Sequence, residues 1–381
     1  MDFQLTEEQS MIREMARGFA EKELKPRAAE IDATRIYPLP VLKAMADLGL
    51  MGMNIPVEYG GSQVGPVGYS LALTEIGKAC ASTAVTMSVT NMVAEVILTF
   101  GQEELRAHHI SKICRGEYAA GAFALTESTA GSDPSSMKST AAREGDSYCL
   151  NGSKIFITSA EIAGVFVTWA KTEKTSGTKG ISAFVVAKDT PGFKVGRNEP
   201  KMGQRGSCTN EIAIEDCRIP RQNLLGQEGD GFKIAMMALD GGRIGIGSMA
   251  VGIGLAAAEY AAEYAKSRIQ FGKPIASFQA VQWMVADNFT DLEAARLLVL
   301  RAAYLKEKGK RFSREAAMGK LFASEAANRV CYRALQILGG YGYTQEYPLE
   351  RYTRDCRVTT IYEGTSEIQR MVIARETLDL K

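Results

Sequence analysis

Val165-Phe166-Val167-Thr168-Trp169 and, after a turn-rich interval, Ile181-Ser182-Ala183-Phe184-Val185-Val186 are the stretches that decide the fold. Such short runs of β-branched and aromatic residues read as strands. Lys154-Ile155-Phe156-Ile157-Thr158 and Glu211-Ile212-Ala213-Ile214 share the texture. Turn clusters at Asn151-Gly152 and Thr190-Pro191-Gly192 separate the runs, so an antiparallel sheet is expected from about Ala122 to Pro220. Both flanks read as helix. Before the sheet, Met11, Met15, Phe19, Leu71 and Ile76 recur at helical spacing, broken by Glu58-Tyr59-Gly60-Gly61. After Gly231 the pattern is helical almost to the end. Gly241, Gly245, Gly247, Gly252 and Gly254 lie among small residues there, which suits a tightly packed helical bundle. The expectation is an α+β chain with a helical domain over 1–121, a β domain over 122–230 and a helical bundle over 231–381.

Composition narrows the function. Of 381 residues, 46% are hydrophobic, and 45 basic against 44 acidic residues leave a formal charge of +1. A disordered chain would be less apolar and more unbalanced. A near-neutral chain without a basic patch argues against nucleic-acid or membrane-surface binding. The two histidines, His108 and His109, fall in a polar helical stretch (Gln102 to Arg115) and are expected to face solvent. Two adjacent histidines also leave little room for a multi-histidine metal site or a Ser-His-Asp triad, so no metal is expected. Seven scattered cysteines without a C-x-x-C pair fit a reducing compartment. The apolar run Ile244 to Ala258 is too short to span a bilayer, and the opening MDFQLTEEQ lacks a signal pattern. Together these point to a soluble bacterial cytoplasmic protein. No G-x-G-x-x-G or Walker loop follows a strand, so a nucleotide must be held by other means.

Three segments could carry chemistry. Ala124 to Asp133 (ALTESTAGSD) offers hydroxyls and small residues suited to a phosphate or a polar ring edge; the alternative is a capping loop with Thr126 or Ser132 as cap. Phe156-Ile157-Thr158-Ser159 ends a strand with an aromatic and a hydroxyl. In Ile361-Tyr362-Glu363-Gly364-Thr365-Ser366-Glu367-Ile368, apolar neighbours would desolvate Glu363 and raise its pKa toward neutrality, while Gly364 leaves its N–H open to a substrate oxygen. A helix capped by Thr365 or Ser366 should follow. Taken alone, an ordinary solvated glutamate in a turn explains the same letters.

Taken together, the chain resembles the acyl-CoA dehydrogenase family over its whole length. The resemblance rests on Ala124 to Asp133, on Gln336-Ile337-Leu338-Gly339-Gly340-Tyr341-Gly342-Tyr343 continuing through Glu346, Arg351 and Asp355, and on Ile361 to Arg370 (IYEGTSEIQR).

That resemblance implies oxidation of an acyl-CoA thioester to its trans-2-enoyl-CoA with bound FAD. By position Glu363 would take the α-proton while the β-hydrogen leaves as hydride to flavin N5. The Gly364 N–H and a ribityl hydroxyl would hold the thioester oxygen. Phe123, Leu125, Thr126, Gly131 and Ser132 would line the flavin, Ser132 also lying near the CoA chain. Phe156, where many relatives carry Trp, would cover the other face with Ile157 and Thr158. Arg268, Phe271 and Gln279 would reach pyrophosphate and adenine from a neighbouring subunit, and Gln336, Ile337, Gly339 and Gly340 the adenosine side. Thr365 and Glu367 would also touch FAD. Asp240, Arg243 and Tyr362 would serve the substrate, the alternative for Asp240 and Arg243 being a helix-terminal ion pair.

Isovaleryl-type relatives place the base immediately before that arginine; Gly242 stands there and cannot serve. The segments look most like short-chain or butyryl-type members, so the resemblance implies a short- or medium-chain acyl-CoA as substrate, its electrons passing to an electron-transfer flavoprotein from a homotetramer, a dimer of dimers. Asn91 and Glu95 fall where the family's acyl cavity is often lined, which leaves a cyclic or polar acyl group open, beside the alternative of a cyclic or branched acyl-CoA. The alternatives are an acyl-CoA oxidase of the same superfamily and a scaffold without chemistry.

Overall fold

The computed structural model describes residues 4–173 and 176–380; Met1 to Phe3 of the opening stretch, and Lys381, lie outside them. Helices α1 (Glu7–Phe19), α2 (Ala28–Thr34), α3 (Leu39–Asp47), α4 (Gly65–Ala79) and α5 (Ala81–Phe100) come first, and the short turns α6 (Glu103–Leu105) and α7 (Ser111–Cys114) lead into the sheet. Thr6 opens α1 with a capping box, its hydroxyl on the Gln9 N–H and the Gln9 side chain on the Thr6 N–H. Helix α5 is buried on nearly every side, its Ser82, Thr83, Thr86, Ser88, Thr90 and Asn91 included.

The sheet comprises β1 (Ala120–Ala124), β2 (Thr140–Glu144), β3 (Ser147–Thr158), β4 (Ala163–Lys171), β5 (Ile181–Ala187), β6 (Phe193–Asn198), β7 (Thr209–Pro220) and β8 (Leu224–Leu225). Its order is β6-β7-β3-β2-β4-β5-β8, with β1 on β4. The hairpin partners are antiparallel, as the alternation predicts, but β1 runs parallel to β4 and β2 meets β4 in a parallel pairing at Thr140 and Lys171. The sheet is therefore mixed. Asn151-Gly152 is not a turn: it lies inside β3 at a shift of register against β7, where Gly152 takes φ 150°.

The last third holds α8 (Gly231–Ser267), a small hairpin β9 (Ile269–Gln270) and β10 (Lys273–Pro274), then α9 (Gln279–Glu307), α10 (Ser313–Leu338), α11 (Leu349–Arg357) and α12 (Ser366–Thr377). Helices α8, α9 and α10 pack on one another and α12 lies along α10, giving the four-helix bundle. Helix α8 also crosses α4 closely: a Cβ on Gly252 would run into the Thr74 carbonyl. Length and composition alone would let α5 and α8 cross a membrane, but both are mostly buried inside the fold. Trp169 of β4 joins the layers by donating its indole N–H to the Gly231 carbonyl at 2.8 Å.

A further expectation fails at the histidines. His108 is exposed, but His109 is buried against Tyr118, and burial depresses its pKa to about 4. Its polar neighbours in sequence lie on the other side of a helical turn.

Candidate active site

The Glu363-Gly364 pair sits between the short turn ending at Thr360 and the start of α12, which Thr365 caps by accepting the Ile368 N–H at 3.3 Å. Both residues are left-handed, at φ 51° and 89°. Such a conformation is costly for Glu and easy for Gly. Glu363 is half-buried, yet its Oε2 is sealed from solvent and has no hydrogen-bond partner. Desolvation raises its pKa to about 7, against the opposing pull of Lys320 and Arg243. The hydroxyl of its neighbour Tyr362 meets Gln204.

Helix α8 supplies the facing wall. A Cβ on Gly242 would collide with Glu363 Oε2 and come within 3.0 Å of Met92 Sδ. Arg243 is buried and paired with Asp240, which also accepts the Ser313 hydroxyl. This ion pair lies inside α8 rather than at its end. A cavity of about 350 Å³ opens beside these residues, lined in part by Met92, Glu95, Asp240, Gly241, Gly242 and Lys306. Glu95 faces it, held by Asn54 at 2.6 Å and by Lys306. Asn91 does not. It is buried, with its side chain spent on the Met53 N–H and on the Leu50 and Met87 carbonyls, so it offers nothing to a polar acyl group.

The other predicted segments meet at the sheet edge. Thr126 accepts the Ile155 N–H at 2.9 Å, bringing the 124–133 loop against the end of β3. Phe123 packs on Trp169 with ring centroids 4.3 Å apart, and Leu125 is buried. Gly131 and Ser132 are exposed, and space is open around Gly131. Asp133, rather than Thr126 or Ser132, caps the following turn by accepting the Ser135 N–H. Phe156 holds a left-handed φ of 56° with its ring 61% exposed, between Ile155 and the buried Ile157; Thr158 is half-buried.

Arg268, Phe271, Gln279 and Gln336 to Gly340 gather elsewhere. Arg268 follows α8, about 38 Å along the axis from Arg243 at about 1.5 Å per residue. Its guanidinium lies 5.4 Å from the ring centre of Tyr341, on the turn that Gly339 opens at φ 60°. Ile337 is buried, but Phe271 is 92% exposed and Gln279, Gln336, Gly339 and Gly340 are exposed. One chain does not bring this group to Glu363. Glu367 is exposed on the first turn of α12.

Several residues escape the sequence reading. Lys154 is buried and ion-paired with Glu127 at 2.8 Å, also donating to the Leu125 carbonyl. Glu127 in turn accepts the Lys138 and Ser139 N–H groups, so a single buried pair shapes the 124–133 loop. Lys320 is wholly buried and donates to the Gly364 carbonyl at 2.8 Å; Gln369, also wholly buried, donates to the Glu363 and Gly364 carbonyls. The signal for Lys320 was present: it interrupts the apolar stripe Ala316, Ala323, Ala327, Val330, Ala334 at a position the 3.6-residue period buries.

FAD, which the resemblance implies, fits the residues present. An exposed ring at Phe156, hydroxyls at Thr126 and Thr158, and open space by Gly131 form a shelf for a flat heterocycle, and Arg268 offers a guanidinium for phosphate. Among the described residues no cluster of His, Cys, Asp and Glu could hold a metal ion.

Comparison with known proteins places the chain. Residues 6–117, 122–217 and 229–378 match the models of the acyl-CoA dehydrogenase N-terminal, middle and C-terminal domains. The chain is 50% identical over 380 residues, 99% of its length and 96% of the relative's, to the acryloyl-CoA reductase (NADH) of Anaerotignum propionicum. The structure of butyryl-CoA dehydrogenase from Megasphaera elsdenii superposes with a TM-score of 0.97 at 44% identity, over 99% of this chain and 100% of that one. A chain in a solved structure concerning the electron transferring flavoprotein of Acidaminococcus fermentans gives a TM-score of 0.98 at 48% identity, again over 99% and 100%. The protein belongs to the acyl-CoA dehydrogenase family.

Proposed function

We propose that this chain catalyses α,β-dehydrogenation of a short-chain acyl-CoA thioester, with Glu363 as the α-proton base. The observation that carries the reading is the sealed, unpartnered Glu363 Oε2, poised near neutrality beside the Gly364 N–H and the cavity under Gly242. A carboxylate cannot remove so weakly acidic a proton unless the enolate charge is met as it forms. The Gly364 N–H would meet it at the thioester oxygen. Arg243 and Lys320 bias Glu363 toward its ionised form, so it can accept the proton near pH 7. Bound FAD supplies a two-electron hydride acceptor. Phe123, Leu125, Thr126, Gly131, Ser132, Phe156, Ile157 and Thr158 would hold its ring, with Thr365 and Glu367 beside it, while Asp240, Arg243 and Tyr362 orient the thioester.

The separation of the Arg268 group from Glu363 within one chain supports completion of the FAD site by a second copy, hence a homo-oligomer, read as a dimer of dimers. Similarity to chains named for butyryl-CoA and for an electron transferring flavoprotein supports a short acyl group and that acceptor, in a cytoplasmic protein. The test is anaerobic titration of the purified flavoprotein with linear, branched and cyclic acyl-CoA thioesters. Flavin bleaching should be strongest with butyryl-CoA; no bleaching by any thioester would end the proposal.

A second reading is the reverse reaction, favoured by the 50% identity to an acryloyl-CoA reductase. The same residues would serve, since Glu363 would then return the proton to the α-carbon. Comparing forward turnover with acryloyl-CoA reduction in the presence of NADH and an electron-transfer flavoprotein separates the two.

A further inference from the structure

Two carbonyls in succession, those of Glu363 and Gly364, turn toward the interior, and both are held by one side-chain amide. Gln369 Nε2 lies 3.1 Å from the first and 2.8 Å from the second, and Lys320 Nζ adds a second bond to the Gly364 carbonyl at 2.8 Å. Resting on the dehydrogenase reading above, we propose that Gln369, backed by Lys320, is a positioning residue: it fixes the Glu363–Gly364 peptide so that the Gly364 N–H is aimed at the thioester oxygen.

The argument begins with the peptide plane. The Glu363 carbonyl and the Gly364 N–H belong to one trans peptide and point in opposite directions. A bond that fixes the carbonyl therefore fixes the N–H. Drawing electron density toward that carbonyl also makes the N–H a stronger donor, because bonds in series polarise one another.

The backbone here needs such a hold. Two consecutive left-handed residues, one of them a glutamate, persist only where their surroundings over-determine them. The clamp is tight enough that a Cβ on Gly364 would come within 2.6 Å of Gln369 Nε2. Chemistry also settles which end of the amide faces in, since only the NH₂ has hydrogens for two carbonyls.

Packing alone does not account for a glutamine at this place. Gln369 is fully buried, and its Oε1 has no partner. An apolar side chain of the same shape would avoid that unmet acceptor. Lys320 is likewise wholly buried, and the charged groups acting on it come from three helices: Arg243 of α8, Glu325 of α10 and Glu367 of α12, besides Glu363 itself. Its bond to the Gly364 carbonyl holds the next peptide and stops the pair from rotating together.

The test uses acetoacetyl-CoA, a thioester that offers an acidic C2 proton, and the FAD-loaded oligomer of the wild type, Gln369→Met and Lys320→Met. When this ligand ionises, the C2–H electron pair moves onto the oxygen and the proton passes by way of the base to solvent, so the pH midpoint of the near-ultraviolet enolate band reads oxyanion stabilisation without turnover. Loss of one such donor typically weakens stabilisation by about 10²-fold, which is a midpoint raised by about two pH units. The expected result is a rise of one to two units in Gln369→Met and a smaller one in Lys320→Met, with butyryl-CoA affinity changed less than about threefold. An unmoved midpoint in both variants overturns the proposal while leaving the dehydrogenase reading intact. If Gln369→Met does not fold, Lys320→Met decides by the same criterion. A wild type that neither ionises acetoacetyl-CoA nor is bleached by butyryl-CoA overturns both.

Discussion

Gly242 and Glu363, 121 positions apart in the chain, occupy adjoining space: a Cβ on the glycine would land on the carboxyl oxygen of the glutamate. Any side chain on α8 at this point therefore competes with the carboxylate for one place. Gly242→Ala should displace Glu363 without touching the flavin shelf. A misplacement of about 1 Å can cost about 100-fold in rate. We expect kcat with butyryl-CoA to fall by 10- to 100-fold while the FAD content of the purified protein stays unchanged, measured by steady-state turnover and flavin absorbance.

Burial of Glu363 also shows in stability. Its pKa rises from 4.5 to about 7. A raised pKa means the folded state binds the proton more tightly than the unfolded one. Its contribution is then fully present below pH 4.5 and is lost as pH rises through about 7. At 1.36 kcal/mol per pH unit the loss reaches at most about 3 kcal/mol. Glu363→Gln, which mimics the protonated acid, should melt with the wild type near pH 4.5 and be more stable than it at pH 8. Equal melting at both pH values would contradict the assigned burial.

Lys154→Met should be among the most damaging single changes near the flavin shelf. It leaves Glu127 buried within the 124–133 loop without its counter-charge. Breaking a buried pair from one side costs about 3–5 kcal/mol. Denaturant unfolding should register that loss, and the protein should retain less FAD on gel filtration.

Arg268→Ala tests assembly of the cofactor site. Because Arg268 stands at the far end of α8 from Arg243, its loss should weaken FAD retention while leaving the stability of the chain nearly unchanged. Unaltered FAD affinity in ultrafiltration would show that the guanidinium has another task.

How far these features were legible in the sequence follows from the range of the forces involved. The helix–sheet–helix order was legible because it rests on local periodicity, and a cap at Thr365 or Ser366 because it rests on residues three apart; the structure gives it to Thr365. The parallel placement of β1 on β4 was not, since pairing of distant strands leaves no mark in either strand alone. Gly364 and Glu363 stood out as a motif. Two of their supports did not: Lys154 and Gln369 act through contacts made only after folding, whereas Lys320 is marked in the sequence only by its place in the apolar stripe of α10. His109 shows the same limit in reverse, where polar sequence neighbours masked a buried ring.

The most direct measurement is the single-turnover rate of flavin bleaching when butyryl-CoA is mixed anaerobically with wild type and with Glu363→Gln, both FAD-loaded. General-base catalysis contributes about 10²–10⁴-fold, so the variant should bind the thioester normally and bleach at least about 100-fold more slowly. Bleaching at a rate within a few fold of the wild type would mean that the α-proton leaves to some other group, and that Glu363 is not the base.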